Sequence, residues 1–177
     1  MRVGHGEGAL TSDPTGPTVL ENRHSDVDDG LRASMPPARF RPVQLWSLDS
    51  VNQVSLLRRE LLEATAPTGR PSATYLQDVP ERMVLVASEL ATNALTHGAP
   101  PTVVTLMDDG ECFLLDVADH DTSTSPQVAG DRPIGNGGFG LVIARRLAQD
   151  VGWYASDTTK HVWATFPMTT DGPHHHR

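Results

Sequence analysis

The stretch Val84-Leu85-Val86-Ala87-Ser88-Glu89-Leu90-Ala91-Thr92-Asn93-Ala94-Leu95-Thr96-His97 decides how this chain is read. Glu89, Asn93 and His97 recur every fourth residue, which at 3.6 residues per turn confines them to a helix arc of roughly 80°. Val84, Ala87, Ala91, Ala94 and Leu95 collect on the opposite arc. One face can therefore lie on a core while the other offers a carboxylate, an amide and an imidazole to a pocket. Both ends are signalled: Pro80 suits a first helical turn, and Gly98, followed by Pro100 and Pro101, stops the helix.

Working outward, Phe40 to Leu48 alternates as an edge strand, and Leu48-Asp49-Ser50 supplies caps for a helix over about residues 50–64 that turns Val51, Val54, Leu57 and Leu61 inward. Pro67 and Gly69 end it. Thr102 to Met107 and Glu111 to Ala118 are β-rich runs joined by Asp108-Asp109-Gly110, a hairpin turn. Leu141 to Gln149 reads as a helix and Val162 to Phe166 as a closing strand. The predicted order is strand, helix, helix, strand, strand, loop, helix, strand. It gives an α+β fold, a two-layer sandwich with helices on one face of a mixed, mainly antiparallel sheet.

Residues 1–39 are rich in Gly, Pro, Ser, Thr and Asp without apolar periodicity, so they are expected to form a flexible N-terminal tail before a domain over 40–168. Residues 169–177 form a second tail, whose His174, His175 and His176 are read as solvated rather than as a metal site. With 177 residues, 38% of them hydrophobic, the chain suits one compact domain. The net charge of −8 argues against a surface built for nucleic-acid phosphates or anionic lipid. A single cysteine, Cys112, forms no internal disulfide and is read as a small buried hydrophobe in a reducing compartment. No basic start leads into an apolar run, and none approaches the ~20 residues that span a bilayer, so a cytoplasmic protein is expected. Lys160 is the only lysine, a bias read as compositional.

Two further constellations carry chemistry. The strand Leu114-Leu115-Asp116-Val117-Ala118-Asp119 delivers a carboxylate at its end. Asp119 there can accept a hydrogen bond from an exocyclic amine such as adenine's, where guanine presents an acceptor instead. An ordinary turn aspartate is the plain alternative. Gly135-Asn136-Gly137-Gly138-Phe139-Gly140-Leu141 is a glycine-rich loop running into a helix, which lets backbone amides approach phosphate oxygens at the positive helix end. Taken alone, it is equally a flexible linker. It is no Walker loop, for no Gly-Lys-Ser/Thr follows, and it lacks dinucleotide-binding spacing.

Taken in order, Glu89-x-x-x-Asn93-Ala94-x-x-His97, the strand ending in Asp119, and Gly138-x-Gly140-Leu141 opening a helix resemble the GHKL ATPases. Within that superfamily the chain looks most like the small anti-sigma-factor serine kinases and single-domain ATP-binding regulators of actinomycetes. The resemblance covers about residues 40–168 and is tightest over Ser88 to Ala94. The chain length leaves no room for the phosphoacceptor helices or transducer domains of larger relatives, so a stand-alone regulator is expected.

The resemblance implies ATP and Mg²⁺ as cofactors. Asn93 would bind the metal through its side-chain oxygen. Glu89 would be the catalytic base that takes the proton of a partner's serine hydroxyl. His97 would stand beside the phosphates, and Asp119 would meet the adenine amino group. Gly135, Gly137, Gly138, Phe139, Gly140 and Leu141 would line a lid over the phosphates. The implied function is an anti-sigma-factor serine/threonine protein kinase that phosphorylates an antagonist and so controls transcription. A sigma factor and that antagonist are its implied partners, and a homodimer through the open sheet face is expected. The alternative is a module that binds ATP without catalysis, or has lost it, and acts by sequestering its partner. Two departures from the family pattern stand out. Asp119 is followed by His120, Asp121, Thr122 and Ser123 where the family has glycines, and Thr159-Lys160-His161 stands where it has Gly-Lys-Thr. The loop up to Arg132 offers only that residue as a local basic partner for phosphate.

Overall fold

The sheet is built from β1 (Arg41–Leu48), β2 (Thr102–Asp108), β3 (Cys112–Asp119), β4 (Asp150–Ala155) and β5 (Lys160–Pro167). The helical layer is α1 (Val54–Ala64), α2 (Asp78–His97) and α3 (Phe139–Leu147), with a 3-10 turn at Val51–Gln53 leading into α1. The structure is a computed structural model and describes residues 31–66, 78–126 and 139–168. The strands lie in the order β1-β2-β3-β5-β4, and each neighbouring pair is antiparallel. Among the described residues the only parallel pairing is a single bridge between Ala33 and Trp153. The fold is the α+β two-layer sandwich.

Alternation sorts the strands by face. Val104, Leu106, Leu115, Val117, Ala164 and Phe166 turn toward the helices, where they meet Met83, Val86, Ala87, Leu90, Ala91 and Ala94 of α2. Val84 and Leu95, expected to point inward, are only half-buried. The buried arc of α2 is wider than one stripe because α1, α3 and the sheet all pack on it. Leu57 and Leu61 of α1 are fully buried. The Gln53 side-chain oxygen accepts the Asp49 N–H at 2.7 Å and the Ser50 N–H at 3.1 Å, which fixes the entry to α1.

Element ends differ by small amounts from the predicted ones. α2 starts at Asp78, so Pro80 falls in the first turn, where backbone N–H groups have no intrahelical acceptor. α3 runs from Phe139 to Leu147 rather than from Leu141 to Gln149. Its end is set by the Gln149 N–H, which donates to the Thr165 carbonyl at 2.8 Å and hands the chain to β4. β4 itself is missing from the predicted order. In the β2–β3 turn the Asp109 carboxylate accepts the N–H groups of Glu111 at 3.0 Å and Cys112 at 2.7 Å, and Gly110 takes φ 87°. Cys112 is half-buried.

The N-terminal tail expected over 1–39 lies partly outside the described residues, as do residues 169–177, but from Leu31 onward the chain is docked. The Trp153 N–H donates to the Arg32 carbonyl at 3.1 Å, and the Ser34 N–H donates to the Trp153 carbonyl at 2.8 Å. The indole N–H of Trp153 reaches the Leu31 carbonyl at 2.8 Å, and that of Trp163 reaches the Ser34 carbonyl at 2.7 Å. Leu31 joins the core. Trp163 faces away from the helices, so the segment passes over the outer side of the sheet. Arg39 then pairs with Asp109 at the β2–β3 turn before the chain enters β1 on the opposite edge. Residues 31–40 thus form a strap across the sheet. No helix among the described residues is long and apolar enough to cross a membrane.

Candidate functional site

On the polar face of α2, Glu89 and Asn93 are half-buried and His97, in the last turn, is exposed. None of the three makes a hydrogen bond or ion pair with another described residue. The position before Glu89 is held firmly. Ser88 is buried, its hydroxyl donates to the Val84 carbonyl at 2.6 Å, and Arg58 of α1 donates to that hydroxyl at 2.7 Å. Glu89 and Asn93 therefore project from a braced helix with unspent hydrogen-bonding capacity, in contrast to most half-buried polar groups.

The start of α3 lies directly on this face. A Cβ added at Gly140 would stand 2.7 Å from the Asn93 Nδ2 and 3.1 Å from the Glu89 Cβ, so only glycine permits the contact. The first turn of α3 carries backbone N–H groups without intrahelical acceptors, which favour an anion. Leu141 is buried in the core and anchors that turn, so any ligand contact from it would come from its backbone. Phe139 is half exposed. Gly135, Gly137 and Gly138, with Arg132, lie outside the described residues.

Asp119, at the end of β3, is buried against the end of α2. A Cβ at Gly98 would stand 2.6 Å from the Asp119 Cγ and 2.5 Å from the Ala94 carbonyl oxygen. Gly98 was expected as a helix stop; its backbone is not left-handed, and what the fold requires there is the close passage of Asp119. Gly98 follows Asn93 by five positions, roughly 7.5 Å of helix rise. Glu89, Asn93 and the start of α3 thus share one face of α2, and the strand-end carboxylate stands at the C-terminal end of the same helix.

The sequence reading missed Lys160. It stands opposite Asp119 in the β3–β5 register, and its ammonium lies 3.5 Å from the Asp119 Oδ1 and 3.7 Å from the Asp121 Oδ2. The Asp121 N–H donates to the Asp119 Oδ1 at 2.8 Å. Hydroxyl hydrogen bonds from Ser123 and Thr124, then the Ser123 N–H and the charge of Lys160, hold the Asp121 carboxyl well below the usual range. The signal in the sequence was the lone lysine itself, the one residue of Thr159-Lys160-His161 that keeps the family's Gly-Lys-Thr pattern.

A nucleoside triphosphate with magnesium suits these residues. Asn93 and Glu89 offer one or two hard oxygen ligands, the number magnesium takes from a protein when phosphates and water supply the rest. A separate polar cluster occupies the outer face. His161 Nδ1 lies 2.7 Å from the Asp116 Oδ1, and the Tyr154 hydroxyl donates to the Asp116 Oδ2 at 3.1 Å. The Tyr154 and His161 rings stack at 4.3 Å. Burial first, then Asp116, push the Tyr154 hydroxyl pKa up. This cluster is on the far side of the sheet from α2.

No curated protein matches the chain. The crystal structure of the RsbU and RsbW domains of Rv1364c from Mycobacterium tuberculosis is similar to it, with 20% sequence identity and a TM-score of 0.49 over 71% of this chain and 31% of that one. The chain thus spans about a third of that structure's length. A family profile described as the histidine kinase-like ATPase domain matches residues 48–166. That span runs from the last residue of β1 to the penultimate residue of β5 and takes in α1, α2 and α3. It covers about two thirds of the sequence and takes in all three motifs, so the chain belongs to the histidine kinase-like ATPase domain family.

Proposed function

We propose that this protein binds ATP with magnesium and is a serine/threonine protein kinase of the anti-sigma-factor type, controlling transcription by phosphorylating an antagonist protein. The observation that supports it best is the pairing of Glu89 and Asn93, unpartnered on α2, with the first turn of α3 brought against them at Gly140. The resemblance of Ser88 to Ala94 to the small anti-sigma kinases supports the choice of partners. Magnesium, when bound, would offset phosphate charge.

In this reading Asn93 would hold the metal through its side-chain oxygen, and the amides of the first turn of α3 would receive phosphate oxygens. Glu89 would accept the proton of a serine hydroxyl presented by the antagonist as that oxygen bonds the γ-phosphorus and the bond from the γ-phosphorus to the β-phosphate oxygen breaks, releasing ADP. Asp119 accepts a hydrogen bond from the base, and His97 stands beside the phosphates. The family assignment supports nucleotide binding. The test is transfer of label from ATP to antagonists encoded near this protein's gene, for wild type and Glu89→Gln. We expect transfer to a serine or threonine of one antagonist. In Glu89→Gln it should fall on the order of 10²- to 10⁴-fold with ATP affinity kept. Tight ATP binding without transfer to any antagonist, or regulation in cells that persists in Glu89→Gln, would instead establish the sequestering module.

A further inference from the structure

Lys160, the chain's only lysine, is 9% exposed. A buried ammonium needs close acceptors for its three N–H groups. Those it has among the described residues are all long: the Asp119 Oδ1 and the Thr124 Oγ1 at 3.5 Å, and the Asp121 Oδ2 at 3.7 Å. An ordinary N–H···O bond is about 2.7–3.2 Å. Two carboxylates thus compensate the charge, while no single acceptor satisfies its hydrogens. Asp119 is also only half used. Its Oδ1 accepts the Asp121 N–H at 2.8 Å, and its Oδ2 makes no hydrogen bond with the described residues. A donor and an acceptor, each with capacity to spare, stand side by side where the site meets the end of α2.

We propose that Lys160 and Asp119 read the edge of a purine together, so that the site takes guanine as well as adenine nucleotides, with Lys160 as the specificity-determining residue. This rests on the reading of the site as one for a nucleoside triphosphate. Adenine presents an amino donor beside the N1 acceptor, whereas guanine presents the O6 acceptor beside the N1–H donor. A carboxylate alone suits adenine and repels guanine, whose O6 would face it lone pair to lone pair. An ammonium at its side removes that discrimination. With the base in one orientation its C6 substituent faces the pair: the amino group of adenine donates to Asp119, and O6 of guanine accepts from Lys160. Guanine supplies Lys160 with the close acceptor it otherwise lacks, and adenine leaves the ammonium on its two carboxylates. Asp121, fixed by the Ser123 and Thr124 hydroxyls, remains as counter-ion in both cases.

Calorimetric titration of the full chain with ATP and with GTP, in magnesium, tests this for wild type and Lys160→Met, with melting curves as the check on folding. Wild type should bind the two nucleotides within about thirtyfold of each other, because a site with a matched buried donor does not reject the base that needs it. Lys160→Met should lose more than about thirtyfold in GTP affinity while ATP affinity changes less than about threefold. Equal loss of both nucleotides overturns the proposal. So does a wild-type preference for ATP above about thirtyfold, which leaves the nucleotide site itself standing; a wild type that binds neither nucleotide overturns both readings. Should Lys160→Met fail to fold, the wild-type ratio alone decides.

Discussion

The start of α3 lies close against Asn93 because position 140 has no side chain. A methyl group there collides with the end of the Asn93 amide and crowds the Glu89 Cβ and backbone at 3.1 and 3.2 Å, so Gly140→Ala should turn the amide away and push the start of α3 slightly off α2. Asn93→Ala removes the amide outright. Both variants should lose about tenfold or more in affinity for ATP in magnesium, ~1.4 kcal/mol, with little change when magnesium is absent. Unchanged magnesium-dependent affinity in isothermal titration would remove Asn93 from the site. That Glu89 and Asn93 share a helix face is plain from their spacing, since four residues nearly close one turn. That Gly140 abuts them is not, because the approach depends on how α3 crosses α2. Lys160 was the least legible residue: its neighbour is Asp119, 41 positions earlier, and only the β3–β5 register brings them together.

Among the elements, α2, the β2–β3 hairpin and β5 were readable because each repeats its polarity at the period of its own geometry. β4 was not. Asp150 to Ala155 places Gly152 between Val151 and Trp153, and the alternation breaks there. The packing explains why: a Cβ at 152 would meet the Ser34 hydroxyl and, at 2.6 Å, the Trp163 ring. A strand shaped by what lies on it loses its sequence signature. The β2–β3 turn carries a pH-dependent latch. The hydrogen bond from Arg39, then those from the Cys112 and Glu111 amides, hold the Asp109 carboxyl at about 2, below its ordinary 3.8. Its contribution to stability is therefore complete above pH about 4 and disappears as the pH falls toward about 2. The gap in urea midpoint between wild type and Asp109→Asn should close over that interval. A gap that stays constant from pH 5 to pH 2 would show that the latch does not contribute through its charge.

At the scale of the whole molecule, fold class and family follow from the order of three motifs on a two-layer plan, and the strap does not. Residues 31–40 show no apolar periodicity because they are held largely through backbone groups, by carbonyls that receive two indole N–H groups and by paired amides. Only Leu31 contributes a core side chain. Removing residues 1–35 should cost roughly 2–5 kcal/mol, from one buried leucine and a handful of hydrogen bonds, a fall of the order of 5–15 °C in Tm. Tryptophan emission should shift to the red as Trp153 and Trp163 gain water. A truncated chain that melts with the full-length protein would mean that the strap is only resting on the sheet.

The strap also bears on how the protein is best produced. A fragment trimmed to the span shared with relatives begins at Leu48, and so discards nearly all of β1 along with the covering of both indoles. The former neighbour of β1 would become a bare hydrogen-bonding border, open to another copy of the fragment. Expression trials on such a fragment would yield inclusion bodies, and an assay of whatever stayed in solution would report the loss of a border strand rather than the chemistry of the protein.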